Sequence, residues 1–193
     1  MTKVKKLSAL NTKWAKENTC KLKKTATQPV FGEGSPTADI VFIGEAPGKM
    51  EDKTGKPFVG ASGKFLAEML DSIKLKREDV YITNIVKYRP PDNRDPLPEE
   101  KESCRQWLEA ELNLIKPKLV VFLGRHAMRN FFPNYVIGDV HGTLIHKKIP
   151  RVYTEYFLPL YHPASALYNG GMRDTLKEDF AQIPKIIQRI TGS

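Results

Sequence analysis

Three short apolar runs, each closed by a small or polar residue and followed by helical periodicity, constrain this chain more than any other feature. Ile40-Val41-Phe42-Ile43 stops at Gly44, VYITNIV (80–86) leads into a proline-rich loop, and KLVVFLG (118–124) stops at Gly124. Runs this short, rich in β-branched residues and bounded by breakers, read as buried strands. Helical patterns lie between them. Phe65, Leu66, Met69, Leu70 and Ile73 share one face, and a second helix opens at Leu97-Pro98-Glu99-Glu100. That second helix lines up Cys104, Trp107, Leu108 and Ile115, with Glu111 as a break in the apolar stripe. A short helix is expected over 125–132 and a weak antiparallel pair within 136–160, ending in Phe157-Leu158-Pro159-Leu160. The last helix, from about 172 to 190, should kink at Pro184. Strands alternating with helices predict an α/β domain with a mostly parallel sheet. In such sheets the site lies beyond the carboxyl ends of the strands: after 43, near 84–90, after 124 and after 160.

At 193 residues the chain suits one domain, and two cysteines in that length argue against a disulfide scaffold. No apolar run reaches the roughly 20 residues of a membrane span, and the start lacks a signal-peptide core, so an intracellular, cytoplasmic protein is expected. The net charge is +9, which suits a polyanion partner. It is concentrated: residues 1–24 hold eight lysines against Glu17, a local +7, leaving +2 for the rest. Leu7, Leu10 and Trp14 fall at helical spacing inside that stretch, so a basic amphipathic helix is expected over about 4–19. Its lysines either form a solvated face or contact phosphate.

The first strand runs into GEAPGKMEDKTGKPFVGASG (44–63). A P-loop needs four residues between glycine and Gly-Lys, followed by Ser or Thr. Here Gly44 and Gly48 enclose three, and Met50 follows Lys49. A dinucleotide fingerprint fails as well, because Gly32-x-Gly34 precedes the strand. The glycines still allow close backbone approach to a ligand, and the helix start near Gly60–Gly63 offers N–H donors to a phosphate. Three more features fall at strand ends. Asn84 sits inside an apolar strand, where an amide is costly unless it bonds something specific. His162 follows the last strand, and Arg89 and Arg94 lie in the loop YRPPDNRDPLP (88–98). Singly, Asn84 reads as a backbone-bonded structural residue, His162-Pro163 as a turn, and Phe58 as a core plug. Their occurrence at successive strand ends favours one shared site.

Taken in order, GEAPGKMEDKTGKPFVGASG, TNIVKYRPPDNRDPLPEE (83–100), PKLVVFLGRHA (117–127) and HPASAL (162–167) resemble the successive motifs of the family 4, iron–sulfur type uracil-DNA glycosylases over about residues 14–190. The resemblance implies a single three-layer α/β/α domain over 1–193 with a central, mostly parallel four-stranded sheet. It implies base flipping into a pocket and hydrolysis of the uracil N-glycosidic bond in DNA. Phe58 would stack on the base, with Gly44 and Ala46 lining its pocket. Asn84 would read the uracil edge, its amide matching N3–H and O4. Glu51 would crowd the 5-position and reject thymine. His162 would bond O2 and stabilise charge on the departing base. Glu45 is the carboxylate placed to position water or the sugar cation; the alternative is that it caps the loop's N–H groups. Gly60, Ser62, Lys64, Arg89 and Ser165 would contact the DNA, and Leu167 would wedge into it.

One departure from the family is large. Its [4Fe–4S] cluster takes four cysteines, and the motifs align Glu17 and Cys20 with the first pair, Tyr88 with the third and Cys104 with the fourth. Two thiolates cannot supply four ligands. The expectation is a cluster-less enzyme needing no metal, with Tyr88 and apolar contacts in the cofactor's structural role. The expected partner is uracil-containing DNA, single- or double-stranded, bound by a monomer away from any membrane. Two other functions stand beside it: a glycosylase for another modified pyrimidine, and a non-catalytic DNA-binding or regulatory member of the fold.

Overall fold

The computed structural model describes residues 1–192. The elements in chain order are α1 (Lys3–Glu17), β1 (Glu33–Gly34), β2 (Ile40–Gly44), α2 (Lys49–Thr54), α3 (Ala61–Ser72), β3 (Tyr81–Asn84), α4 (Pro98–Ile115) and β4 (Leu119–Leu123). There follow α5 (Arg125–Arg129), α6 (Ile137–Val140), β5 (Ile145–His146), β6 (Tyr156–Leu160), α7 (Ser165–Tyr168), α8 (Gly170–Ala181) and α9 (Ile183–Thr191). The sheet has six strands in the order β1-β3-β2-β4-β6-β5. The inner four are the expected parallel set. Two-residue antiparallel strands at each edge, β1 on β3 and β5 on β6, bring the count from four to six.

Period-2 alternation sorts side chains between two cores. Val41, Ile43, Val120, Phe122 and Phe157 face the layer of α1, α4 and α5, together with Leu7, Trp14, Leu108 and Leu112. Ile40, Phe42, Val121, Leu123 and Leu158 face α3, α8 and α9, together with Phe65, Leu66, Leu176 and Phe180. Both faces are covered, which is why the strands read as continuous apolar runs. The expected long C-terminal helix is two helices. Gln182 separates them and Pro184 stands in the first turn of α9, where its missing N–H has no intrahelical partner to lose.

Glu111, the apparent break in the stripe of α4, is buried at 2% exposure and pairs with the equally buried Lys87. The same carboxylate accepts from the Tyr81 and Thr83 hydroxyls, and Lys87 Nζ also donates to the Asn84 carbonyl at 3.1 Å. All four parallel strands end on one side. The connections from β2 and from β3 leave in opposite directions along the sheet, so β2 and β4 flank a topological switch point.

Candidate active site

Gly44 and Asn84 are register partners at the tips of β2 and β3. A methyl group on Gly44 would lie 2.5 Å from Asn84 Oδ1 and 2.5 Å from the Phe58 ring, so the bare backbone here lets amide and ring converge. Phe58 is 7% exposed and its backbone is left-handed, at φ 51°. A phenylalanine adopts that conformation only when its surroundings impose it. Arg77 donates to the carbonyls of Pro57 and Phe58, and Glu51 accepts from the next N–H, that of Val59, at 2.9 Å. Phe58 is therefore gripped on both sides, with its ring 5.8 Å from the His162 ring at 28°.

Glu51 does more than crowd a pocket. Its Oε1 accepts from Val59 and Gly60 and its Oε2 from Gly48, so one buried carboxylate joins the loop after β2 to the start of α3. The loop-capping alternative raised for Glu45 thus belongs to Glu51. The Gly60 N–H points to that carboxylate, which corrects the expectation of a phosphate donor there; Ala61, Ser62 and Gly63 carry the remaining first-turn amides of α3.

His162 follows β6. Its Nδ1 accepts from the Ala164 N–H at 3.0 Å, which places the proton of the neutral ring on Nε2. Burial, reinforced by nearby His126, lowers its pKa to about 4. Gly124, at φ 98°, leaves room behind it, since a methyl there would come within 3.0 Å of His162 Cβ. Asn84 is 2% exposed, and its Oδ1 has no hydrogen-bond partner among the described residues. An acceptor left bare at that depth is unfavourable unless a ligand N–H fills it.

These groups surround a cleft of about 330 Å³ lined by Ala46, Phe58, Ser62, Asn84, His162 and Leu167, with Lys49, Met50 and Tyr168 at its edge. Leu167 is 43% exposed and Tyr168 89%, so α7 presents apolar surface at the rim. An adjoining groove shares Ala46, Ser62, His162 and Tyr168 and adds Glu45, Asp95, His126 and Ser165. Burial first, and the Asp95 carboxylate second, push Glu45 up to about 7. Most of the expected site residues therefore meet. Gly44, Lys64 and Arg89 line neither space; Gly44 instead packs under Asn84 and Phe58, Lys64 is exposed on α3, and Arg89 Nε donates to Asn93 Oδ1 at 2.8 Å. Arg94 is held by Glu100 at 2.7 and 2.9 Å. Arg77, Asp95 and His126 were not singled out in the sequence. Arg77 and Asp95 reach the site from loops and His126 from the first turn of α5, and nothing in their own residue types or spacing marks them.

Glu45, Asp95 and His126 bring three ligand atoms within 4.8 Å of one another, the one such group among the described residues. Arg125 Nε lies 3.1 Å from the same His126 nitrogen and competes for it. The positions aligned with an iron–sulfur cluster do not fit that group. Cys20 and Cys104 are buried thiols, Glu17 is exposed and paired with Lys13, and Tyr88 is a buried phenol packed on Trp14 at 5.0 Å between ring centroids. The donors present are not four thiolates.

A mostly parallel sheet whose strand ends and loops bring an aromatic ring, a bare amide oxygen and a neutral imidazole around a small cleft defines an α/β protein with its candidate site beyond the carboxyl ends of the strands. The family model described as the uracil DNA glycosylase superfamily matches residues 31–185, and the chain belongs to that superfamily. It is 46% identical over 174 residues to a type-4 uracil-DNA glycosylase of Archaeoglobus fulgidus, covering 86% of each chain. A type-4 uracil-DNA glycosylase of Sulfurisphaera tokodaii is 43% identical over 174 residues (86% of this chain and 78% of that one). One of Thermotoga maritima is 39% identical over 178 residues, 88% of each.

Proposed function

We propose that this protein is a monofunctional uracil-DNA glycosylase acting in base excision repair. It takes a flipped uracil into the cleft, hydrolyses its N-glycosidic bond and leaves an abasic site. The observation that carries this reading is Asn84, which lines the cleft with Phe58 and His162 and whose buried Oδ1 has no hydrogen-bond partner among the described residues. Uracil N3–H would satisfy that oxygen, the amide N–H₂ would donate to O4, and Phe58 would stack on the ring. His162 Nε2–H would donate to O2 as charge builds there. Glu45 would orient water or the cationic sugar, and Ser62, Ser165 and the exposed Leu167 would hold and wedge the DNA strand. Glu51 would crowd the 5-position from its loop. Action as a monomer is part of this proposal. No helix among the described residues is long and apolar enough to cross a membrane. The test is incubation with uracil-containing single- and double-stranded oligonucleotides followed by alkaline cleavage of abasic sites. Absence of product from every uracil substrate would end this reading.

The Glu45 carboxyl gives the reaction a pH signature. If its ionised form orients the nucleophile, the single-turnover rate should rise with pH through about 7 and level off above it. Asp95→Asn removes the second cause of the upward shift, so the rise should move to lower pH. Glu45→Gln should abolish the rise and lower the rate at pH 8 by roughly 10²-fold or more. Stability should move the other way. A carboxyl whose folded pKa exceeds its unfolded one destabilises the fold as pH climbs from about 4.5 through 7, by on the order of 2 kcal/mol once solvent screening of this partly exposed group is discounted. Glu45→Gln should therefore melt higher than wild type at pH 8. A flat wild-type profile from pH 5.5 to 8.5 (about the span that brackets this titration) would remove Glu45 from the chemistry.

We further propose that the enzyme works without an iron–sulfur cluster, on the ground of Glu17 and Tyr88 at two ligand positions. Protein purified anaerobically should be colourless, with no broad band near ~400 nm. Stoichiometric iron and acid-labile sulfide would contradict this.

A further inference from the structure

The two cysteines, 84 positions apart in sequence, meet in the core between the N-terminal segment and α4. Cys20 stands at the start of a short 3₁₀ turn (Lys21–Lys24) and Cys104 in the second turn of α4; they are 4% and 0% exposed. Their side chains interact directly, each altering the other's ionisation, and next to Cys20 the Lys21 Nζ reaches Glu99 Oε1 at 3.9 Å, holding this segment on the start of α4. The surroundings bias the pair. Neighbouring donors, the Cys104 thiol first, favour charge on the Cys20 sulfur against the cost of its burial. Cys104 Sγ receives the Lys87 N–H and sits 3.9 Å from Ser103 Oγ. Thiolate character is favoured where donors converge, and a thiolate beside a second thiol is the arrangement thiol–disulfide exchange requires.

We infer that Cys20 and Cys104 form a reversible intramolecular disulfide, a modification site that ties the lysine-rich N-terminal segment covalently to α4. The step balances with a low-molecular-weight disulfide as oxidant. The Cys20 thiolate attacks one sulfur of glutathione disulfide, forming a mixed disulfide and releasing one glutathione thiolate. Cys104 then loses its proton and attacks the Cys20 sulfur, forming the protein disulfide and displacing the second glutathione. Two protein thiols are oxidised and one glutathione disulfide is reduced to two thiols. The bond closes a ring of about 85 residues containing β2, α3 and β3, and with them Phe58 and Asn84. Its formation draws on nothing in the catalytic cleft, so the inference stands apart from the proposed activity.

The test uses the full chain, reduced, freed of reductant and exposed without denaturant to buffers of rising glutathione disulfide to glutathione ratio. Samples are acid-quenched, denatured, alkylated with N-ethylmaleimide and weighed intact. The expected product is a monomer about 2 Da lighter than the reduced protein that takes up no maleimide. Its melting temperature should be higher by on the order of 10 °C, because the cross-link restricts the unfolded chain over a long ring. Cys20→Ser and Cys104→Ser should each show no rise under the same treatment, at most carrying one glutathione. Full alkylation of both cysteines at the most oxidising ratio would overturn the inference. So would disulfide-linked dimers, a stable glutathione adduct on wild-type Cys20, or a rise in melting temperature in either serine variant.

Discussion

His162→Ala is expected to excise uracil roughly 10²–10³ times more slowly in single turnover, the scale for losing one donor to a developing oxyanion. The structure makes His162 a donor in a specific way. Ala164 occupies Nδ1, so the neutral ring carries its proton on Nε2, and a pKa near 4 keeps the ring neutral throughout the physiological range. A neutral imidazole stabilises the leaving base by a hydrogen bond whose strength grows as charge accumulates on O2, without requiring a buried cation. Binding to abasic product should therefore change little, and the wild-type rate should show no titration of His162 until the pH approaches about 4. Single-turnover rates paired with product affinities decide it. A wild-type rate in a normally melting His162→Ala protein would take this imidazole out of the reaction.

Asn84→Asp should lose uracil excision almost completely. The carboxylate offers an acceptor where O4 needs a donor, and at 2% exposure an unpaired charge there is far costlier than the amide it replaces. The altered edge matches the cytosine amino group better, so trace release of cytosine is the informative gain. Asn84→Ala provides a control that adds no charge. It should melt close to wild type, because Oδ1 bonds nothing among the described residues, yet still excise uracil poorly. If instead Asn84 served only to tie strand to loop, both variants would melt early in proportion to their loss of rate. Native melting with native excision in Asn84→Asp would dismantle the pocket assignment.

How far the sequence reveals this molecule depends on range. The inner strands were legible because both faces of the sheet are covered, which makes Ile40–Ile43 and Leu119–Leu123 apolar throughout. The antiparallel edge pair β5–β6 was legible as a weak alternation within 136–160, but β1 was not, since two residues carry no periodicity and its pairing is set by a neighbour distant in sequence. Phe58, Asn84 and His162, which the fold brings together around one cleft, were marked by motif order, and Asn84 and His162 also by their positions at strand ends. The grip on Phe58 was not, because Arg77 arrives from 19 residues away with nothing local to mark it. Glu51 was read as a wall of the pocket, yet three of its hydrogen bonds go to backbone, and only the folded loop reveals that use of a carboxylate. Glu111 looked like an error in an apolar stripe because its partner, Lys87, lies on another element.

The Lys87–Glu111 pair also bears on how this lineage can change. Removing either partner alone strands a charge among Tyr81, Thr83 and the tip of β3, at a typical loss of several kcal/mol, whereas exchanging both for apolar residues of similar volume can be close to neutral. A path of single substitutions would have to cross a valley in which the Asn84 backbone loses its support. The two positions should therefore vary together or not at all across relatives, so the strand that ends in Asn84 would inherit its constancy from a helix that lines no part of the cleft.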